Sequence, residues 1–239
     1  RHRLKALLLR NGIPYSGKSS WTAPHLRWLA TLKMAHPAQQ ICFQEYLHAI
    51  TESTARIIRL EQAMRDTLAD WTLKPLVQAL QALRGVSLIA AMTLVAELQD
   101  FLRFDHPRKL MAYVGLVPGE YSTGAKRRQG SITKAGNSAA RRMLVEMAWH
   151  YQHPARVTPI IARRQDELPQ AVIDIAWAAQ LRLSAKFRRL QARRLLKTKA
   201  VVAVARELAG FVWAIGCQVQ TSGWQGLPTN PAPAQAPAA

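Results

Sequence analysis

Apolar residues recur along this chain at intervals of three and four, the spacing that gathers them on one face of an α-helix. Residues 1–10 (RHRLKALLLR) read as the end of a basic helix, closed by Asn11, Gly12 and Pro14. A polar loop follows at 15–20, then a short helical piece at 21–34 punctuated by Pro24. Residues 38–68, after Pro37, contain neither glycine nor proline, and Ile50, Ile57, Leu60, Met64 and Leu68 fall on one face. The opposite face mixes Glu52, Arg56, Arg59, Glu61, Arg65 and Asp66. A long helix of this half-apolar, half-charged kind predicts a coiled-coil arm or an oligomer contact.

A second unit begins near Trp71. Residues 73–83, Gly85 and residues 87–98 predict helix, tight glycine turn and helix. That is the outline of a helix-hairpin-helix, whose turn amides can grip a phosphate. Ser87 stands where the second glycine of such a turn is usual, and a bare αα-corner that only packs reads equally well. Phe101, Phe104, Tyr113 and Leu116 are candidate core anchors. Asn137 is a good N-cap for a helix whose apolar side is Leu144, Met147, Ala148 and Tyr151. Two further helices carry core stripes: 170–194 with Val172, Ala176, Leu183, Phe187 and Leu190, and 201–219 with Val204, Leu208, Phe211 and Ile215. Residues 221–239 are rich in proline and alanine without any charge, the composition of a disordered tail.

Charge adds a partner to this helical picture. Lysine and arginine number 33 against 14 acids, for a formal net charge of +19. Such an excess repels itself in a compact state and is usually neutralised by a polyanion. The first acid is Glu45, and Arg182, Lys186, Arg188, Arg189, Arg193, Arg194, Lys197 and Lys199 form a second run without one. A single basic run is often just a solvated helix face, but here every segment leans the same way, which points to nucleic acid. A base-stacking RNA chaperone fits less well, because the aromatic residues sit mostly on helix stripes. The longest apolar stretches, 86–98 and 208–219, are too short and interrupted to span a bilayer, so no membrane partner is expected. Cys42 and Cys217 form no metal-type pair, and no signal peptide is visible, which together suit a reducing cytoplasm. The chain opens at Arg1 without methionine, so its natural N-terminus is expected upstream.

The densest chemistry lies in residues 115–142, GLVPGEYSTGAKRRQGSITKAGNSAARR. A hydroxyl pair, Ser122 and Thr123, sits in a glycine-rich loop that matches neither a strand nor a helix pattern. Lys126, Arg127, Arg128, Lys134, Arg141 and Arg142 follow, with no carboxylate between Glu120 and Glu146. Glycines let the backbone approach a ligand, and fixed cations hold a phosphodiester while a hydroxyl acts on it. Arg141 and Arg142 fall in the first two turns after Asn137, where the helix dipole also favours an anion. Other chemistries fit poorly. His150 and His153 have a metal-compatible spacing but no third ligand nearby, so no metal site is expected. Gly115–Gly119 lacks the lysine and spacing of a P-loop, and Ser122 lacks the frame of a hydrolase nucleophile elbow.

This loop resembles the C-terminal serine domain of a family of bacterial insertion-sequence transposases, those with an N-terminal RuvC-like acidic domain. Some members of that family work with a structured guide (bridge) RNA. The likeness continues upstream through LRGVSLIAAMTLVAEL and RFDHPRKLMAY, and downstream through LPQAVIDIAWAAQ and ARELAGFVWAI. HPAQQI and QEYLHAI near the start resemble it too, so all but the tail is covered. The resemblance implies that a loop serine attacks a DNA phosphate and forms a phosphoserine link that strand exchange resolves. Ser122 is the candidate nucleophile; many relatives have serine directly before the glycine, and a one-residue shift would move the role to Thr123. Arg127, Arg128, Lys134 or Arg141 would then stabilise the charge that develops on phosphorus. The family's acidic quartet, which binds divalent metal, has no counterpart here, so a partial transposase without cofactor in this chain is expected.

The resulting expectation is a mainly α fold. It comprises a helical arm (1–70, the end of the RuvC-like domain plus the long helix), a helical serine-transposase domain with a helix-hairpin-helix-like element (71–220), and a tail (221–239). The partners implied are transposon-end and target DNA, a structured guide RNA, and a second copy through the long helix, in a bacterial, nucleoid-associated setting. The alternative is a non-catalytic nucleic-acid-binding remnant that pairs with full-length transposase.

Overall fold

The structure, a computed structural model, describes residues 1–120 and 129–226. Among these, ten α-helices, one 3₁₀ turn and a two-stranded sheet make the protein mainly α-helical. The chain divides into two compact units, 1–66 and 67–239.

In the first unit, α1 (His2–Arg10) turns Leu4, Leu7 and Leu8 inward and its basic residues outward, with Leu9 left exposed. Asn11 Nδ2 donates to the Leu7 carbonyl at 2.8 Å, and Gly12 takes a left-handed φ of 68°, which ends the helix. Pro24 lies in the first turn of α2 (Ala23–Thr31), where its missing N–H costs nothing, so it opens this helix instead of interrupting one. Leu4, Leu7, Leu8, Leu29, Met34 and Phe43 form the core of this unit. Phe43 comes from α3 (Pro37–Ala69), a helix of 33 residues. Beyond that anchor the helix is open: Ile57, Ile58 and Leu60 are 56%, 63% and 51% exposed.

The second unit is built around α10 (Lys197–Ser222), which packs against α9 (Gln170–Ala192), α7 (Ser138–Ala148), α6 (Pro107–Tyr113) and α4 (Lys74–Leu80). The α5 helix (Leu88–Leu98) lies on α4 and α7. By length and composition alone, α10 is apolar enough to cross a membrane, with a mean hydropathy of 1.6 over its best window. Counting only unbroken apolar runs hid this. Its inward face, Val201, Val204, Leu208, Val212 and Ile215, is fully buried in the protein core, which accounts for that apolarity. Gly216 lies so close to the Phe101 ring that any side chain there would overlap it.

Several elements differ from the sequence expectation. The helix expected over 73–83 stops at Leu80 and continues as tight turns to Gly85. The left-handed Gly85 (φ 81°) presses on the His150 ring and the Met147 carbonyl. Gln165 and Arg164, of the unforeseen α8 (Pro159–Gln165), donate to the Ala82 and Val86 carbonyls at 3.2 and 2.8 Å. The αα-corner is thereby packed against its neighbours, and Ser87 serves as the N-cap of α5. Short α6, α8 and the 3₁₀ turn Trp149–Gln152 escape a periodicity reading because each is about two turns or less. Residues 221 and 222 belong to α10, not to a tail; Gly223 caps it in the left-handed region, and Gly226 lies against Gln78 and Pro75. The rest of the expected tail, 227–239, lies outside the described residues.

Candidate nucleic-acid interface

The glycine-rich segment has more order at its ends than its composition suggested. Strands β1 (Pro118–Glu120) and β2 (Gln129–Ile132) pair antiparallel, with Pro118 opposite Ile132 and Glu120 opposite Gln129. One extra residue on β2 makes the register irregular, as at a β-bulge. The pairing continues below the strands, where Thr133 N–H donates to the Val117 carbonyl at 2.9 Å and Lys134 N–H to Gly115 at 3.1 Å. These strands flank the expected glycine-rich loop, whose residues 121–128 lie outside the described residues. They lack the apolar alternation of a sheet because a tertiary crossing, not a buried sheet face, holds them together.

That crossing is the base of the stem. Gly115 (φ 67°) and Gly136 (φ 71°) let two chain segments touch: a Cβ on Gly136 would fall on the Tyr113 carbonyl, and one on Gly115 on the Ala135 carbonyl. Arg141 closes the crossing. Its Nη1 donates to the Val114 and Ala135 carbonyls, each at 3.0 Å. Asn137 joins the same point, its N–H on Tyr113 O at 3.2 Å and its Oδ1 capping α7 through Ala140 N–H at 2.8 Å. The Asn137 Nδ2 donates to the Glu97 carboxylate, which ties α5 to the stem.

The sequence-derived site residues separate into three groups. Ser122, Thr123, Lys126, Arg127 and Arg128 lie outside the described residues. Lys134 is exposed at the base of the stem with φ 57°, and Arg142 is exposed on the first turns of α7. Arg141 spends its guanidinium on backbone carbonyls and is only partly exposed.

Sequence reasoning missed Arg103 and misassigned Tyr113. Phe101, Phe104 and Leu116 are buried as expected of core anchors, but Tyr113 is 37% exposed. The Arg103 guanidinium lies over the Phe104 and Tyr113 rings, 4.6 and 4.7 Å from their centroids. Nothing in the local spacing signals this, since the two rings come from different elements.

The second basic run also divides. Arg182 Nε and Lys186 Nζ hold Glu207 at 3.0 and 2.7 Å. Burial alone would raise the Glu207 carboxyl, but those two hydrogen bonds outweigh it and hold it below the usual range. Arg188, Arg189, Arg193, Arg194, Lys197 and Lys199 stay exposed around the α9–α10 turn. Among the described residues, no three His, Cys, Asp or Glu side chains come together as metal ligands. The described residues thus offer no ligand set for the divalent metal that the resemblance implies. Burial, then the charges of Arg84 and His153, lowers the His150 imidazole.

Comparison with known proteins places this geometry. Residues 77–161, from α4 into α8 and including the whole stem, match the "Transposase IS116/IS110/IS902 family". This segment is similar to the domain of that transposase family. A Sinorhizobium fredii protein described as transposase y4qE is 46% identical over 215 residues, 90% of this chain and 52% of its own length. The transposase for insertion sequence element IS1533 of Leptospira borgpetersenii is 27% identical over 196 residues, 81% of this chain and 57% of its own. The transposase for insertion sequence element IS1111A of Coxiella burnetii is 35% identical over 71 residues, 30% of this chain and 20% of its own. The chain thus spans about half the length of the first two of these transposases.

Proposed function

We propose that this chain is the DNA-recombining serine part of an insertion-sequence transposase. In this reading Ser122 Oγ attacks a DNA phosphorus, and the displaced strand oxygen leaves as a hydroxyl. The serine proton passes to a base, the leaving strand oxygen takes up a proton, and a phosphoserine ester keeps one strand end for rejoining. Thr123 is the alternative nucleophile. Lys126, Arg127, Arg128, Lys134 and Arg142 balance the charge added to the phosphoryl oxygens, while Arg141 holds the stem that carries them. The observation that carries the reading is that the transposase-family match covers the stem bracketing residues 121–128, a segment rich in cations and hydroxyls.

The partners in this proposal are transposon-end and target DNA, a structured guide RNA, and a second copy of the chain, in the bacterial cytoplasm at the nucleoid. The exposed Ile57, Ile58 and Leu60 on α3 support pairing between copies. The test is a nicked end-DNA substrate incubated with the chain, alone and with a full-length relative and its RNA, then run on a denaturing gel. A covalent protein–DNA band that Ser122→Ala abolishes and Thr123→Ala leaves intact supports the proposal. Salt-sensitive binding with no band under any condition leaves the non-catalytic reading.

A further inference from the structure

Arg103 is exposed, yet both of its sequence neighbourhoods are fixed. Phe101 N–H donates to Gln220 Oε1 at 2.9 Å, and Trp213 Nε1 donates to the Phe104 carbonyl at 2.8 Å. The turn 101–104 is thereby anchored to α10 at each end, and Phe104 N–H closes it on the Phe101 carbonyl at 3.2 Å. From this turn the Arg103 guanidinium reaches over two rings whose centroids are 5.4 Å apart and whose planes meet at 56°. Stacking on a ring face fixes the plane of a guanidinium while leaving its N–H donors free along the edge.

The nearby acids are otherwise engaged. Asp105 is paired with Lys109 at 2.7 Å, and Asp100 Oδ1 accepts from Leu102 N–H at 2.9 Å. Tyr113 connects this oriented cation to the stem, because its carbonyl accepts from Asn137 and touches Gly136. Among the described residues the Arg103 guanidinium has no hydrogen-bond or ion-pair partner, and with its plane fixed it is a receptor for a doubly accepting oxyanion such as a phosphodiester.

We propose that Arg103 is a positioning residue that holds a backbone phosphate of the bound strand at the base of the stem. It sets the register of the strand relative to residues 121–128 and takes no part in bond making. This inference rests on the proposed DNA partner.

The test is binding of a fluorescent end-DNA duplex, titrated over a range of salt, by the full chain carrying Ser122→Ala so that no chemistry intervenes. Arg103→Ala is expected to weaken affinity about tenfold and lower the salt slope by roughly one. Arg103→Lys should keep the slope but recover only part of the affinity, since an ammonium has no planar fork. Tyr113→Leu, which leaves the charge and removes one ring, should weaken binding about threefold at unchanged slope. Unfolding temperatures should stay within a few degrees of the parent in all three. Unchanged affinity and slope in Arg103→Ala, full recovery by lysine, or losses that track unfolding temperature would overturn the inference. If the parent itself binds no DNA, the proposed function falls with it; if the parent binds and Arg103→Ala is neutral, only the role of Arg103 falls.

Discussion

Two adjacent arginines on α7 do different work. Arg141 bonds the carbonyls of Val114 and Ala135, whereas Arg142 points to solvent. Arg141→Ala leaves the part-buried Val114 carbonyl unsatisfied, releases the exposed Ala135 carbonyl, and should cost about 1–2 kcal/mol in denaturant unfolding. Arg142→Ala should stay within ~0.5 kcal/mol of the parent yet lower the salt slope of DNA binding by about one. A reversed pattern would remove the clasp from Arg141 and the phosphate from Arg142. His25 gives a second residue-scale prediction. It is buried among Tyr15, Trp21 and Trp28, and burial, helped by the Lys5 charge, lowers its imidazole below the ordinary value. The unfolded chain therefore takes up the proton at higher pH than the folded one. This contribution is complete above about pH 6.5 and is lost progressively as pH falls below it. An NMR titration of the His25 ring should give a midpoint below that of a free imidazole; a midpoint at or above it would contradict the packing described.

At the scale of elements, α3 is anchored near its start by Phe43 and carries exposed isoleucine and leucine beyond it. If that stretch pairs two copies, Ile57→Asp with Leu60→Asp should shift the chain from dimer to monomer in light scattering at matched concentration, without loss of helix content. A parent already monomeric at high concentration would sink the pairing. The long helices were legible because their apolar residues repeat over many turns, as the leucine and valine stripe of α10 shows. The stem was not legible, because Gly115 lies against Ala135 and Gly136 against Tyr113, far apart in sequence, and no local pattern encodes that crossing. The same holds for the platform of Arg103, Phe104 and Tyr113, assembled from a turn and a separate helix. Asn137 was legible as a cap from its residue type, and it is one.

Across the whole molecule, helices frame a pair of strands that flanks residues 121–128, and Lys134 and Arg142 after the second strand are exposed. The excess charge of +19 fits a protein whose exposed lysines and arginines meet phosphates, and the few acids described at its sites are largely engaged within the fold. The central claim is that a hydroxyl in that segment forms a bond to DNA phosphorus. Its most direct test is to trap the covalent complex on nicked end DNA, digest it with nuclease and trypsin, and sequence the adduct by mass spectrometry. Cleavage after Lys109 and Lys126 isolates residues 110–126, which hold Tyr113, Tyr121, Ser122 and Thr123 on one peptide. A nucleotide phosphate is expected on Ser122, with Thr123 as the neighbouring alternative. An adduct on Tyr121, or none while DNA is nonetheless cut and joined, would contradict that assignment.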